Sequence, residues 1–371
     1  MSKIVDYLKR YNPKTYPVSK ININFLDDEY QDSSIRKDDI LRNNYGEKGA
    51  NRSDDIININ EVDNINYNRQ TSLIKYFLDG TRRAYYVCDI ATGDGSIVPI
   101  ISGQISSAVL QRDNIDGKVS LYKHYKKGLL LIPKGGGGIN DGDADDIKKH
   151  IDTNYEKYNL EVAFVKIKKF ENPKDNSIAK LNAEMQNLEI DLLGVLTNCN
   201  ALSQDSMIIV DGALQFQNIK KENLNHLRHA IGISKHFNIH LTNVIGKNTE
   251  IGSHLINLKK VGDRTIAYRL KLDNGNQYAF WYLRIYPLQY LNYPFAGIIK
   301  IEKTLINDDE KEDGLNTDEV NNISKCLLLE KTVSTYGLDK RWASHIYPVY
   351  LTETIQKNKF ISDYIFRSLF V

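Results

Sequence analysis

The sequence predicts an α/β fold built on one mixed sheet flanked by helices, and three observations lead to it. Between residues 72 and 112, apolar stretches rich in β-branched and aromatic residues are interrupted by glycine-bearing turns, the pattern of consecutive antiparallel strands. The segment IAKLNAEMQNLEIDLLGVL then places Ile178, Leu181, Met185, Leu188, Leu192 and Val195 at the three-and-four spacing of an amphipathic helix. After it, SMIIVDGAL reads as a buried strand of the parallel type, followed by a helical stretch and another strand, IGISK. Three strands, helix, strand, helix, strand is an order that carries residues from distant parts of the chain to one end of a sheet.

Residues 1–70 are polar and rich in asparagine and aspartate, with short apolar pieces such as IVDYL and INFL, and predict an N-terminal extension of irregular structure with short helices. The main domain is expected over residues 71–371. LIKYFLDG, RRAYYVCDI and SIVPIISGQISSAVLQR predict the three antiparallel strands, with Asp79 closing the first. NIDGKVSLYKHYKKGLLLIPK contains an Asp-Gly hairpin signal and runs into GGGGINDGDADD, so residues 112–175 are expected to form an inserted hairpin and loop. That glycine run lacks the Gly-Lys-Ser/Thr ending of a phosphate loop, and its aspartates lack the distal glutamate of a calcium loop, so it reads as a flexible surface loop. NIKKENLNHLRHA, before IGISK, is expected to be helical. Further on, TIAYRLKLDNGNQYAFWYLRIY predicts a hairpin about Asp273 to Asn276 and GIIKIEKTL a strand, while SKCLLLEKTV and TETIQKNKFISDYIFRSL predict helices.

Composition excludes several classes. With 371 residues, 41% hydrophobic and 26% charged, the chain buries a sizeable core. No apolar run approaches the roughly 20 residues needed to cross a bilayer, and the first residues lack the apolar stretch of a signal peptide, so no membrane association and a cytoplasmic location are expected. The three cysteines, Cys88, Cys199 and Cys326, form no CxxC pair, which points away from disulfides and structural zinc. The net charge of +2 hides a lysine-rich stretch in which Lys123, Lys126, Lys127, Lys134, Lys148, Lys149, Lys166, Lys168 and Lys169 are candidates for phosphate contacts. Tyrosines interleave with these lysines in YKHYKK and NYEKY, so Tyr122, Tyr125, Tyr155 and Tyr158 are candidates for stacking on unpaired bases.

The chemistry-bearing residues are Asp79 and Asp211, each followed by glycine at the end of an expected strand. If those strands are neighbours, the two carboxylates lie close together. A glutamate from the intervening helix would complete an oxygen-rich cluster suited to Mg²⁺ or Mn²⁺. Helical geometry does not choose between Glu184 and Glu189, which flank the apolar stripe at similar angles. Lys235, near a strand end, offers a compact positive charge for a scissile phosphate.

In these motifs the chain resembles the NurA nucleases. LDGTRRA is similar to the family's first Asp-Gly motif, with Thr81 where a serine is usual, MQNLEIDLL to its helical glutamate motif, and IIVDGAL to its second Asp-Gly motif. IGISKHF, WYLRIYP, IIKIEKT and HIYPVYLTET resemble its later segments, so the likeness runs from about residue 72 to the end. It implies a ribonuclease H-like core and a metal-dependent DNA nuclease in which Asp79, Glu189 and Asp211 hold Mn²⁺ or Mg²⁺, Lys235 assists, and Arg82 and Arg83 contact DNA, with Glu184 in reserve for Glu189. It further implies 5′–3′ exonuclease and single-strand endonuclease action in DNA end processing or antiviral defence, by a homodimer docked on a HerA-type hexameric ATPase. Where family members carry an alanine-histidine pair this chain has Thr354 and Ile355, which leaves His345 as the reserve histidine. Two alternatives stay open: a non-catalytic DNA-binding adaptor of the ATPase, and a nuclease acting on RNA or hybrids.

Overall fold

In a computed structural model the chain is described at residues 3–17, 40–48, 56–62, 67–91, 95, 97–134, 139, 141–166, 172–216, 219, 221–241, 250–331 and 342–370. The N-terminal part supplies helix α1 (Ile4–Tyr11) and four short strands, β1 (Thr15–Pro17), β2 (Ile40–Tyr45), β3 (Glu47–Lys48) and β4 (Ile56–Asn58). Next come the long strands β5 (Ile74–Ala91), β6 (Ile97–Arg112) and β7 (Val119–Lys134), helix α2 (Asp141–Asn154) and β8 (Leu160–Lys166). Helix α3 (Pro173–Asn198) leads to β9 (Met207–Asp211) and β10 (Ala230–Ser234). The remainder comprises α4 (Ile251–Leu255), β11 (Asp263–Thr265), β12 (Tyr268–Lys271), β13 (Gln277–Arg284), β14 (Ile298–Leu305), α5 (Asp308–Asp313), β15 (Leu315–Asn316), α6 (Thr317–Leu329), α7 (Tyr347–Lys359) and α8 (Asp363–Arg367).

The main sheet runs β2-β12-β13-β14-β10-β9-β5-β6-β7-β8. β5, β6 and β7 form an antiparallel meander, β9 pairs parallel with β5, and β10 parallel with β9. The fold is therefore mixed α/β, with a large sheet of both parallel and antiparallel pairs flanked by helices. Strand alternation decides what each face buries. Tyr76 and Leu78 of β5 pack with Ile208 and Val210 of β9 against Ile190, Leu193 and Leu196 of α3. Phe77 and Ile209 turn the other way and pack with Val320, Ile323 and Leu327 of α6 and Val349 of α7.

Several boundaries differ from expectation. LIKYFLDG and RRAYYVCDI are one 18-residue strand, so Asp79 lies inside β5 and not at its end. The third meander strand, β7, comes from the segment expected as an inserted hairpin. The aspartates after the glycine run open α2, while Gly135 to Gly138 fall outside the described residues, as do INFL, Lys168 and Lys169. Among its described residues NIKKENLNHLRHA forms a 3-10 stretch, Lys221–Leu227, in place of the expected helix, and the last helix breaks at Phe360 into α7 and α8. The described parts of residues 1–58 are stitched to the body: β1 pairs with β5, β2 with β12 and β4 with β11.

Candidate active site

β9 is short, and its end decides the site. Its parallel register with β5 runs to Leu78 opposite Val210, so Asp79 and Asp211 come next on adjacent strands. Both follow residues facing α3, and alternation turns both toward the α6 and α7 face. After Asp211 the chain leaves the sheet at Gly212, whose φ of +99° an L side chain adopts only with strain. On the far side of β9, Asp211 is opposite Ile233 of β10, and two residues further Lys235 Nζ donates to Asp211 Oδ2 at 2.8 Å.

Glu189 comes from α3, on the opposite face, and its carboxylate fills the space over Gly80, the residue after Asp79. A Cβ at Gly80 would lie 2.5 Å from Glu189 Oε1 and 3.0 Å from Met185 Cγ, so the absent side chain is what admits the carboxylate. Glu184, five residues earlier, is held away by Lys180 at 2.7 Å and Lys127 at 3.5 Å. Helical angle left the two glutamates equivalent and the resemblance favoured Glu189, which is the one that α3 places over Gly80.

Asp79 and Glu189 are each only 5% exposed, and among the described residues neither carboxylate accepts a hydrogen bond from a protein group. Burial, then the charges of Asp211 and Glu353, push Asp79 well above the usual carboxylate range. Burial and Asp211 push Glu189 up to about 8. Burial alone would lower Lys235, yet the charge and hydrogen bond of Asp211, joined by Asp79 and Glu353, raise it. The acids meet from two faces of the sheet without closing on a common point: among the described residues no three His, Cys, Asp or Glu side chains stand as a ready metal cage.

Two residues on α7 escaped the sequence reading. Gln356 Nε2 donates to the Asp79 carbonyl at 3.0 Å and its Oε1 accepts from Ser106 Oγ at 2.8 Å. Ser107 Oγ donates to the same carbonyl at 3.3 Å. Glu353, one helical turn before Gln356, brings a fourth carboxylate whose charge acts on both Asp79 and Lys235. No local motif marks either residue. Their signal is helical spacing from a buried face, Val349, Thr352 and Gln356, which becomes informative only once α7 is known to lie on β5.

Other predicted residues lie elsewhere. Arg83 is committed to Asp363 of α8 at 3.1 Å and stacks over Phe360, while Arg82 is half-buried on β5. His345 stacks on Tyr350, ring centroids 5.7 Å apart. The lysine patch is largely engaged locally: Lys126 with the Lys359 carbonyl, Lys127 with Glu161 and Glu184, and Lys148 with Asp152. Of the tyrosines proposed for stacking, Tyr155 is buried in the core at 3% exposure, which removes it as a base platform. No helix among the described residues is long and apolar enough to cross a membrane. No protein-family model matches the chain, and no curated protein matches it.

Proposed function

We propose that the protein is a metal-dependent DNA nuclease with a ribonuclease H-like core, related in design to the NurA nucleases. One observation carries this reading: Asp79 and Asp211 stand on adjacent strands with Lys235 bonded to Asp211, and Glu189 of α3 lies over Gly80, the residue after Asp79. The strand order β7-β6-β5-β9-β10, three antiparallel and then two parallel, supports a ribonuclease H-like arrangement of residues 71–371 behind an N-terminal extension.

The donor set fits a hard divalent cation. Two buried carboxyl groups without protein donors, whose surroundings favour the protonated form, stand next to a third held by a lysine and form an all-oxygen group in which Mn²⁺ or Mg²⁺ would take the place of the protons. Asp79, Glu189 and Asp211 would hold the metal, with Glu353 adding charge from α7. A bound cation supplies Lewis-acid charge to the scissile phosphate and makes water a better nucleophile near neutral pH. Lys235, half-buried and raised, stays an ammonium and stabilises negative charge developing on the phosphate. Gln356 and Ser107 fix the Asp79 backbone, so its carboxylate is held in place before substrate arrives.

From the resemblance, the substrate is DNA, cleaved from ends and within single strands, and the working form is a cytoplasmic homodimer on a HerA-type ATPase. The test incubates end-labelled single- and double-stranded DNA with Mn²⁺, Mg²⁺ or EDTA. Wild type cleaves only with metal, and Asp79→Asn and Asp211→Asn each lower the rate at least a hundredfold while the circular dichroism spectrum stays native. Absence of cleavage by folded wild type with every metal, alone and with the ATPase, would rule the nuclease out.

A further inference from the structure

A fully buried guanidinium near the same sheet end fastens two exposed loops. Arg284, the last residue of β13, is 0% exposed and donates to the carbonyls of Pro294 at 2.6 Å, Ala296 at 3.0 Å and Tyr286 at 3.4 Å. Its Nε donates to the Leu258 carbonyl of a second loop. That loop is held again by Asp263 Oδ2, which accepts from the backbone N–H groups of Lys259 at 2.8 Å and Lys260 at 2.6 Å. A charge buried to organise loop backbone gives those loops fixed geometry.

The two loops together present exposed rings and ammonium groups. Tyr290 is 66% exposed and Tyr293 53% exposed, on the β13–β14 loop, while Lys259 and Lys260 are exposed on the other. β14 begins next to the end of β10, with Ser234 opposite Lys300, so both loops belong to the sheet end where Asp211 and Lys235 lie. Arg284 is three strands across the sheet from Asp211, on the order of 15 Å at the usual strand spacing. Stacked nucleotides rise about 3.4 Å each, so four or five nucleotides span that distance.

We infer that the two loops clamped by Arg284 form a binding face for single-stranded nucleic acid, in which Tyr290 and Tyr293 stack on unpaired bases and Lys259 and Lys260 take the adjoining phosphates. Rings and ammonium groups on a rigid support are what a flexible strand requires, since every base has a stackable face and every nucleotide a charge. A duplex keeps its bases stacked inside, so it would engage the lysines alone. The inference rests on the nuclease reading for its purpose, because the face delivers a strand to the carboxylates.

The experiment measures fluorescence anisotropy in EDTA with labelled oligothymidylate, an abasic strand of equal length and a blunt duplex. Tyr290→Ala with Tyr293→Ala is expected to weaken oligothymidylate binding by about fivefold to a hundredfold, leaving the weaker abasic binding unchanged. Tryptophan at both positions restores the affinity. Lys259→Ala with Lys260→Ala weakens both strands and flattens the salt dependence. Oligothymidylate binding that is equal in wild type and the alanine pair, or no better than abasic binding in wild type, overturns the face. Hydrolysis of bis(p-nitrophenyl) phosphate with Mn²⁺ separates the two proposals, since this small ester does not need the loops. Turnover lost in wild type with oligothymidylate preference intact sinks the nuclease and keeps the face.

Discussion

Glu189 is the residue on which the site is most easily tested without substrate. Its carboxyl is pushed up to about 8 by burial and by Asp211, whereas an unfolded glutamate titrates near ~4.3. Between those values the folded chain retains a proton that the unfolded chain has released, so raising the pH removes stability. The contribution is fully present below about pH 4.3 and is lost as pH rises through about 8, a change on the order of 5 kcal/mol. Metal-free wild type should therefore melt at steadily lower temperature from pH 5 to 8, and Glu189→Gln should flatten that slope. Mn²⁺, by replacing the proton, should restore wild type at pH 8 and leave the variant almost unmoved. Parallel melting curves for the two proteins across this range would show that Glu189 is not an uncompensated buried acid. The same residue marks the limit of sequence reading: Glu184 and Glu189 are equivalent by helical angle, the resemblance alone favoured Glu189, and the structure adds the gap over Gly80 and the lysines that hold Glu184.

How the elements position these residues was partly legible. The periodicity of α3 and the apolar run of β9 are local properties, and both elements lie where the pattern put them. Asp-Gly at positions 79 and 80 read as a strand end because glycine breaks strands on average, yet β5 continues through it, since here glycine makes room for a carboxylate. α7 was legible as a helix but not as a wall of the site, which depends on its docking against β5 through Gln356. A further element-level device is the β14 pair Lys300 and Glu302, 2.5 Å apart and each 1% exposed. Glu302 also accepts from the Leu214 backbone at 3.0 Å and Gln215 Nε2 at 2.9 Å, so it anchors the loop that follows Asp211. Glu302→Ala leaves the Lys300 charge buried and unpaired, for an expected loss of about 3–5 kcal/mol in urea unfolding. It should also weaken Mn²⁺ binding at temperatures where the variant is folded, because Asp211 loses its anchored neighbour. Unchanged Mn²⁺ affinity would confine Glu302 to stability.

Residues 1–70 read as an extension because their composition is polar, and polarity averages hide single buried side chains. Ile4, Val5 and Leu8 of α1 enter a core with Phe366, Leu369 and Phe370 from the chain's other end and with Ile147 and Ile151 of α2. The backbone closes the same contact, Ile4 N–H donating to the Leu369 carbonyl and Val5 N–H to the Phe370 carbonyl, both at 3.2 Å. The two ends of the chain thus pack around the far part of the β5–β6–β7 meander, while the carboxylates lie where β9 stops. α8 links this core to the meander again through Asp363, which takes Arg83 and the Tyr85 hydroxyl at 2.7 Å. If α1 is integral to the body, Leu8→Ala should cost the whole protein about 2–5 kcal/mol, the range for a fully buried leucine, with one cooperative urea transition. A segment that merely frays on the surface would lose under 1 kcal/mol, because local unfolding would relieve the cavity. Mn²⁺ affinity serves as the second readout. It should match wild type at low urea, since α1 and the acids belong to different cores, so a parallel fall in both quantities would mean that the meander transmits strain from its far end to Asp79.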